Sequence, residues 1–314
     1  MLLHEQLPAT TPFTTEWSVH PTVVVGVVLL GAVYFYGIGP ARKRHAVGPP
    51  PEWWRPLCFV SGLLLMLGSL NGPIHDLSDY YLFWVHMAQH LLLTMVLPPL
   101  LLAGTPPWLL EPALRRRAVR AIVRVLVNPV VAGGLFSAIL LAWHAKGPYD
   151  LMMRNHDVHV ATHLMFMVSA VILWWPVMSP SASLPRLAPG RAMLYLFLVQ
   201  IPMQILGAII TFADAPLYAW YATAPRTFGL SPLDDQKIGG LLMWVIGNLW
   251  IWGAMSVLFF RWAKSEMCSC ADPTSSKAIG SSRIKQPHRS QPRVGSRPEI
   301  SATWPTASCL SPVG

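Results

Sequence analysis

Four histidines stand in two pairs of identical spacing, His86 and His90 in HMAQH and His159 and His163 in HVATH. Residues four apart on a helix share one face, with Cβ atoms roughly 6 Å apart. Each pair therefore points two imidazoles in one direction, and two such helices at similar depth can converge on one centre. Neutral imidazole is the commonest metal ligand and suits Cu, Zn and Fe. His156, one turn before His159, and His144, at the end of an apolar run, extend the set. Asp214 in ITFADAPLY and Asp235 in LSPLDDQKIGG sit at the edges of apolar segments. A carboxylate there caps a helix, meets solvent, completes a metal site or orients a ligand histidine. A single histidine in an apolar segment is ordinarily a hydrogen-bonded packing residue. Two pairs with one spacing and one depth point instead to metal or haem. Met87, Met95, Met152, Met153, Met165, Met167 and Met203 lie nearby. Thioether favours Cu(I), yet methionine is also ordinary core filler. Met152 and Met153 are the best placed exceptions. His4, His20, His45 and His288 have no comparable context, and no role is assigned to them.

The segments that carry these residues are membrane spans. The 314-residue chain is 53% hydrophobic and 12% charged, against about 25% charged in a soluble domain. A span needs roughly 20 mainly apolar residues. Seven segments qualify: 22–38, 57–72, 82–103, 121–142, 157–178, 192–212 and 238–260. The expected fold is an all-α integral membrane protein, a bundle of about seven transmembrane helices. Many of the 14 tryptophans fall near span ends, as aromatic belts do. Pro98, Pro99, Pro129 and Pro202 should kink helices or end them early, because the freed carbonyls need other partners. Gln200 and Gln204, one turn apart, should face the bundle and hydrogen-bond another helix. Residues 1–21 lack the positive stretch of a cleavable signal peptide.

Lys and Arg collect on the cytoplasmic side of short loops. The loop 39–56 holds Arg42, Lys43, Arg44 and Arg55, and the loop 104–120 holds Arg115, Arg116, Arg117 and Arg120. The segment before the first span and the loop 71–81 hold none. This alternation puts the N-terminus outside and the C-terminus in the cytoplasm. His75, His86, His90, His144, His156, His159 and His163 then all fall on the extracytoplasmic side, with Asp76, Asp79, Asp150, Asp157, Asp214, Asp234 and Asp235. Such a face suits a cation. Two domains are expected: a membrane domain, 1–264, and a disordered basic cytoplasmic tail, 265–314, rich in Ser, Pro, Lys and Arg. Cys268 and Cys270 form an isolated C-x-C, a weak metal signal. Cys58 reads as a buried small hydrophobe.

HMAQHLLLTMVLPPLLLAGTP, HVATHLMFMVSAVILWWPV, ITFADAPLYAWY and DDQKIGGLLMWVIGNLW together resemble the CtaG family, the multi-span assembly factors of caa3-type cytochrome c oxidase. The resemblance runs from roughly residue 60 to 262 with the motifs in order, and it leaves the tail uncovered. It implies maturation of a respiratory oxidase in the bacterial plasma membrane, through copper handled on the extracytoplasmic side. The motif positions are His86, His90, His159, His163, Asp214, Asp235 and Gln236. Oxidase subunits, a copper donor protein and membrane lipid are the implied partners. Nucleic acid is not among them, and the net charge of +9 is accounted for by the basic loops. Catalysis is not implied.

Two other classes compete. A haem-binding electron carrier would use paired histidines as axial ligands, although no C-x-x-C-H for covalent haem is present. A transporter or light-driven pump is suggested by seven spans, but the only lysine available for a Schiff base, Lys237, lies at the edge of the last span. A membrane hydrolase would lack H-E-x-x-H and any clear nucleophile.

Overall fold

The computed structural model describes residues 13, 17–226 and 228–271, with side chains up to residue 266. Every regular element among the described residues is helical. In chain order the principal helices are α1 (Pro21–His45), α2 (Trp54–Ser69), α3 (Gly72–Tyr80), α4 (Phe83–Gly104), α5 (Arg117–Leu126), α6 (Pro129–His144), α7 (Lys146–Arg154), α8 (His156–Met178), α9 (Pro189–Thr211) and α10 (Pro232–Glu266). Five of them, α1, α4, α8, α9 and α10, are long and apolar enough to cross a membrane, and two bent pairs raise the number to as many as seven.

The breaks in the bent pairs follow from sequence. Between α2 and α3 the chain turns by 52° at Leu70-Asn71-Gly72-Pro73. Gly72 has φ +70°, a left-handed conformation that costs glycine nothing, and Pro73 then starts a helix without needing an N–H partner. Between α5 and α6 the turn is 64°. Proline disfavours helical backbone in the residue before it, so Asn128 is extended, and its side chain accepts a hydrogen bond from Val130 N at 3.0 Å, capping α6. The span expected at 121–142 is therefore divided. Its first part belongs to α5, whose Arg117, Arg120 and Arg124 recur at helical spacing on an exposed face.

Other prolines do not end their helices. In α4 the backbone widens into a π-helical turn at Leu92–Val96 and then runs on through Pro98 and Pro99. Pro98 has no N–H for the Thr94 carbonyl. That carbonyl accepts instead from Trp174 Nε1 of α8 at 3.0 Å. Pro176 and Pro202 likewise lie within continuous helices α8 and α9.

The central pair is α4 and α8, 61% and 56% buried over their most apolar windows, against 17% for α1 and for α10. α1 leans on the bundle at Tyr34, whose ring stacks on Phe59 with centroids 3.8 Å apart and whose hydroxyl donates to the Gly104 carbonyl at 2.8 Å. Most of its other side chains face outward, as lipid contact requires. The final helix runs on to Ala271, and the expected tail lies outside the described residues from 272 onward. The chain divides into two compact units, 1–259 and 260–314. All that follows concerns the first.

Candidate metal centre

The backbone that presents His86 and His90 is fixed by a residue distant in sequence. α4 begins at Phe83, and a new helix leaves its first N–H groups without partners. Asp235 of α10 supplies them: its two carboxylate oxygens accept from Phe83 N and Trp84 N, each at 3.0 Å. α10 can come this close because Gly239 has no side chain; a Cβ there would lie 2.5 Å from the Phe83 ring. Gln236, beside Asp235, binds the backbone at Leu217 N (2.6 Å) and Ile210 O (3.2 Å). The DDQKIGG segment thus positions the histidine helix, and both oxygens of Asp235 are engaged in that task.

A carboxylate from a different helix reaches the imidazoles. Asp79, 3% exposed, projects from α3. Its Oδ2 lies 3.4 Å from His75 Nε2 and 3.4 Å from His159 Nδ1, and its Oδ1 lies 4.0 Å from His86 Nδ1. Asp79, His86 and His159 each offer a ligand atom, all within 4.8 Å of one another. First-row metals bind His and carboxylate at about 2.0–2.2 Å, so a modest inward shift of these side chains would bring all three onto one ion. His75 is oriented by Gln89, whose Nε2 lies 3.2 Å from His75 Nδ1. Gln89 Nε2 is a donor, so His75 carries its proton on Nε2, facing the carboxylate. α3 is held from above by the ADAPLYAWY segment: Trp220 Nε1 donates to the Asp79 carbonyl at 2.7 Å, and Tyr221 Oη to the Ser78 carbonyl at 2.5 Å.

The two sequence pairs converge. His86 and His90 stack with centroids 4.6 Å apart, His159 and His163 at 4.7 Å, and the pairs meet where His90 lies 4.9 Å from His163. His159 Nε2 and His163 Nε2 are 2.9 Å apart, a separation that requires a proton or a cation between the two lone pairs. Both ring nitrogens of His86 are buried without a hydrogen-bond partner, as are His90 Nε2, His144 Nε2 and His163 Nδ1. A buried polar atom left unpaired costs about 1–3 kcal/mol, so this concentration of orphaned imidazole nitrogens makes the cluster a candidate binding site.

The other expected residues have different places. His144, at the end of α6, donates through Nδ1 to the Leu140 carbonyl, 2.8 Å away, and lies 6.2 Å from Tyr149 by ring centroids. His156 opens α8 at the rim, its ring stacked 6.2 Å from that of His20. Asp214 is exposed and is not brought to the cluster. His20, without an expected role, stands edge-on to His75 at 4.4 Å. Burial, then the neighbouring His75, holds its pKa below the usual value, so it stays neutral. Asp79 was legible only as one of seven acids expected on the extracytoplasmic side. The signal that identifies it is the i, i+4 spacing from His75 in HDLSDY, the same period that singles out the histidine pairs. A groove of about 1060 Å³ runs along α1 and α8, apolar along its walls, and reaches Asp79, His159 and His163 at one end.

A polytopic all-helical protein with a buried histidine–carboxylate cluster between its two central helices is the class these observations define. Over residues 32–265 the chain matches the cytochrome c oxidase caa3 assembly factor family, Caa3_CtaG, and it belongs to that family. Among curated proteins it is similar to an uncharacterized protein of Mycobacterium leprae (strain TN), 23% identical over 278 residues, covering 83% of this chain and 41% of the relative. It is also similar to uncharacterized proteins of Mycobacterium bovis and Mycobacterium tuberculosis, each 24% identical over 281 residues with the same coverage. The chain thus spans about two fifths of the length of the curated relatives it matches. No solved structure matches it.

Proposed function

We propose that this chain serves oxidase assembly by holding copper as cargo in the cluster of Asp79, His86, His159 and His163, on the extracytoplasmic side of the bacterial plasma membrane. Three things support the reading. Family membership supplies the oxidase assembly role. The placement of basic residues in the loops 39–56 and 104–120 supplies the orientation. The observation that carries the metal is His86, fully buried, with neither ring nitrogen hydrogen-bonded, beside a buried carboxylate. Imidazole with carboxylate is a donor set that first-row transition metals accept. His75 and Gln89 orient the carboxylate side, which is how a supporting layer tunes ligand geometry and basicity. Oxidase subunits and a copper donor are the partners this role requires.

Axial haem ligation fits less well. Paired rings at 4.6–4.9 Å centroid separation leave no gap for a porphyrin plane between them.

The test is the copper and iron content of purified full-length protein beside a variant with His86, His90, His159 and His163 all changed to Ala. Copper bound by the native chain and absent from the variant is the expected result, together with oxidase that is synthesised but copper-deficient in cells carrying the variant. Stoichiometric iron in place of copper would move the reading to haem, and absence of both metals would remove the cargo.

A further inference from the structure

Beside His90, among the buried side chains of the bundle, lies a second, much smaller cavity of about 20 Å³. A space needs roughly 10–15 Å³ to admit a water-sized particle, so this one has room for a single small atom or ion. Its lining combines His90 and His144 with Met87, Met203 and Met243. The donors come from α4, α6, α9 and α10, α8 adds Phe166 to the wall, and the Asp79 carboxylate is not in it.

Both imidazoles have an orphaned nitrogen here. His90 Nε2 and His144 Nε2 are buried and unpartnered. His144 Nδ1 faces the Leu140 carbonyl at 2.8 Å, so the ring proton sits on Nδ1 and Nε2 presents a lone pair. A backbone carbonyl on the far nitrogen is the usual way a ligand histidine is held. The three methionines are 1%, 4% and 4% exposed. Met203 lies against Gly247, where a Cβ would approach its methyl group to 2.7 Å; the missing side chain leaves room for the thioether.

The backbone around the cavity is also irregular. The π-helical turn Leu92–Val96 contributes Thr94 to the wall, and a second, Leu242–Ile246, contributes Met243. Such turns are rare and concentrate at functional sites. The second contains no proline that would account for it.

We infer that His90, His144 and the thioethers of Met87, Met203 and Met243 form a separate soft-cation site that takes Cu(I). Two imidazoles with thioether sulfur is a donor set that hard cations decline and Cu(I) accepts. The site differs from the Asp79 cluster in donor type: thioethers take the place of the carboxylate. This inference rests on the reading that the buried imidazoles handle a metal, and a bridging water between the two Nε2 atoms is the alternative it must defeat.

The experiment loads detergent-purified full-length protein with Cu(I) anaerobically, counts copper per chain after removal of free ion, and records X-ray absorption for sulfur backscatter. Four chains are compared: native, His86→Ala/His159→Ala, Met203→Leu, and Met203→Leu/Met243→Leu. The expected result is copper retained in the His86/His159 variant with a sulfur shell at the metal. The double methionine variant should lose that shell and at least tenfold in Cu(I) affinity while keeping its elution profile and helix content. Native protein that binds copper through nitrogen and oxygen only, with methionine variants unchanged, overturns this inference and leaves the first centre standing. No copper in any chain overturns both. If the methionine variants do not fold, the sulfur shell of the native protein decides alone.

Discussion

α4 and α1 are both apolar helices of span length, yet they teach opposite lessons. α4 buries 61% of its most apolar window and α1 buries 17%. α1 shows side chains such as Leu29 and Val33, 60% and 69% exposed, to a medium as apolar as they are, and is tied in mainly through Tyr34. α4 carries histidines and glutamine, needs a carboxylate from α10 to start it and an indole from α8 to serve its freed carbonyl. Between helices in lipid there is no hydrophobic driving force. What holds the centre is packing and polar satisfaction, and what the periphery needs is only an apolar surface.

The largest contrast should come from charge. Asp79→Asn keeps the shape of the cluster and removes its one carboxylate. Copper retention should weaken 10–100-fold, the usual effect of losing a partner of ligand histidines, whereas Asp214→Asn should leave it unchanged. Equilibrium dialysis against a copper chelator checks both. Equal effects from the two variants would dissolve the distinction between centre and rim.

Packing gives the next test. Leu93 in α4 is 1% exposed, Leu29 in α1 60%. Leu93→Ala should cost roughly 2 kcal/mol, the low end for a buried leucine, because lipid rather than water is the reference. Leu29→Ala should fall within about 0.5 kcal/mol of native. Thermal unfolding in detergent compares them.

The Asp235 cap ranks third. Asp235→Asn leaves an acceptor for one of the two N–H groups at the start of α4, and the expected loss is about 1 kcal/mol. Retention of copper by this variant, with reduced stability, would separate positioning from ligation. A variant of native stability that has lost its copper would make Asp235 a ligand after all.

The smallest effect lies far from the histidines. Glu111 accepts hydrogen bonds from the hydroxyls of Ser183 and Ser181, and these bonds, Ser183 first, hold its pKa below the usual 4.5. A carboxyl with a lower pKa folded than unfolded adds stability above the unfolded value and loses it as pH falls through the folded one. Glu111→Gln should therefore lower the melting temperature slightly at pH 7, have little effect at low pH, and flatten the dependence on pH below about 4.5. An unaltered slope would show that the loop is not held there.

Much of this was legible in sequence because it is written in local periodicity. The paired histidines declare a shared face, and each expected apolar run lies largely on helix, with 57–72 and 121–142 broken within. What was hidden depends on chain reversal. HDLSDY becomes part of the centre only because the chain bends 52° at Asn71-Gly72-Pro73 and lays α3 against α4. Asp235 reads as a possible ligand from its position at a span edge, and only the approach of α10, permitted by Gly239, turns it into a cap. The run 121–142 looked continuous because Arg124 is its single charged residue, yet α5 ends within it at Leu126 and Pro129 restarts the chain.

One consequence of Asp79 concerns electroneutrality. The cluster offers a single carboxylate, and its imidazoles bind metal only as neutral groups. A cuprous ion and that carboxylate sum to zero. A cupric ion, or any other dication, would leave one uncompensated positive charge deep in an apolar bundle, an expensive state. If the cluster holds copper as proposed, its single carboxylate favours the cuprous ion before geometry is considered.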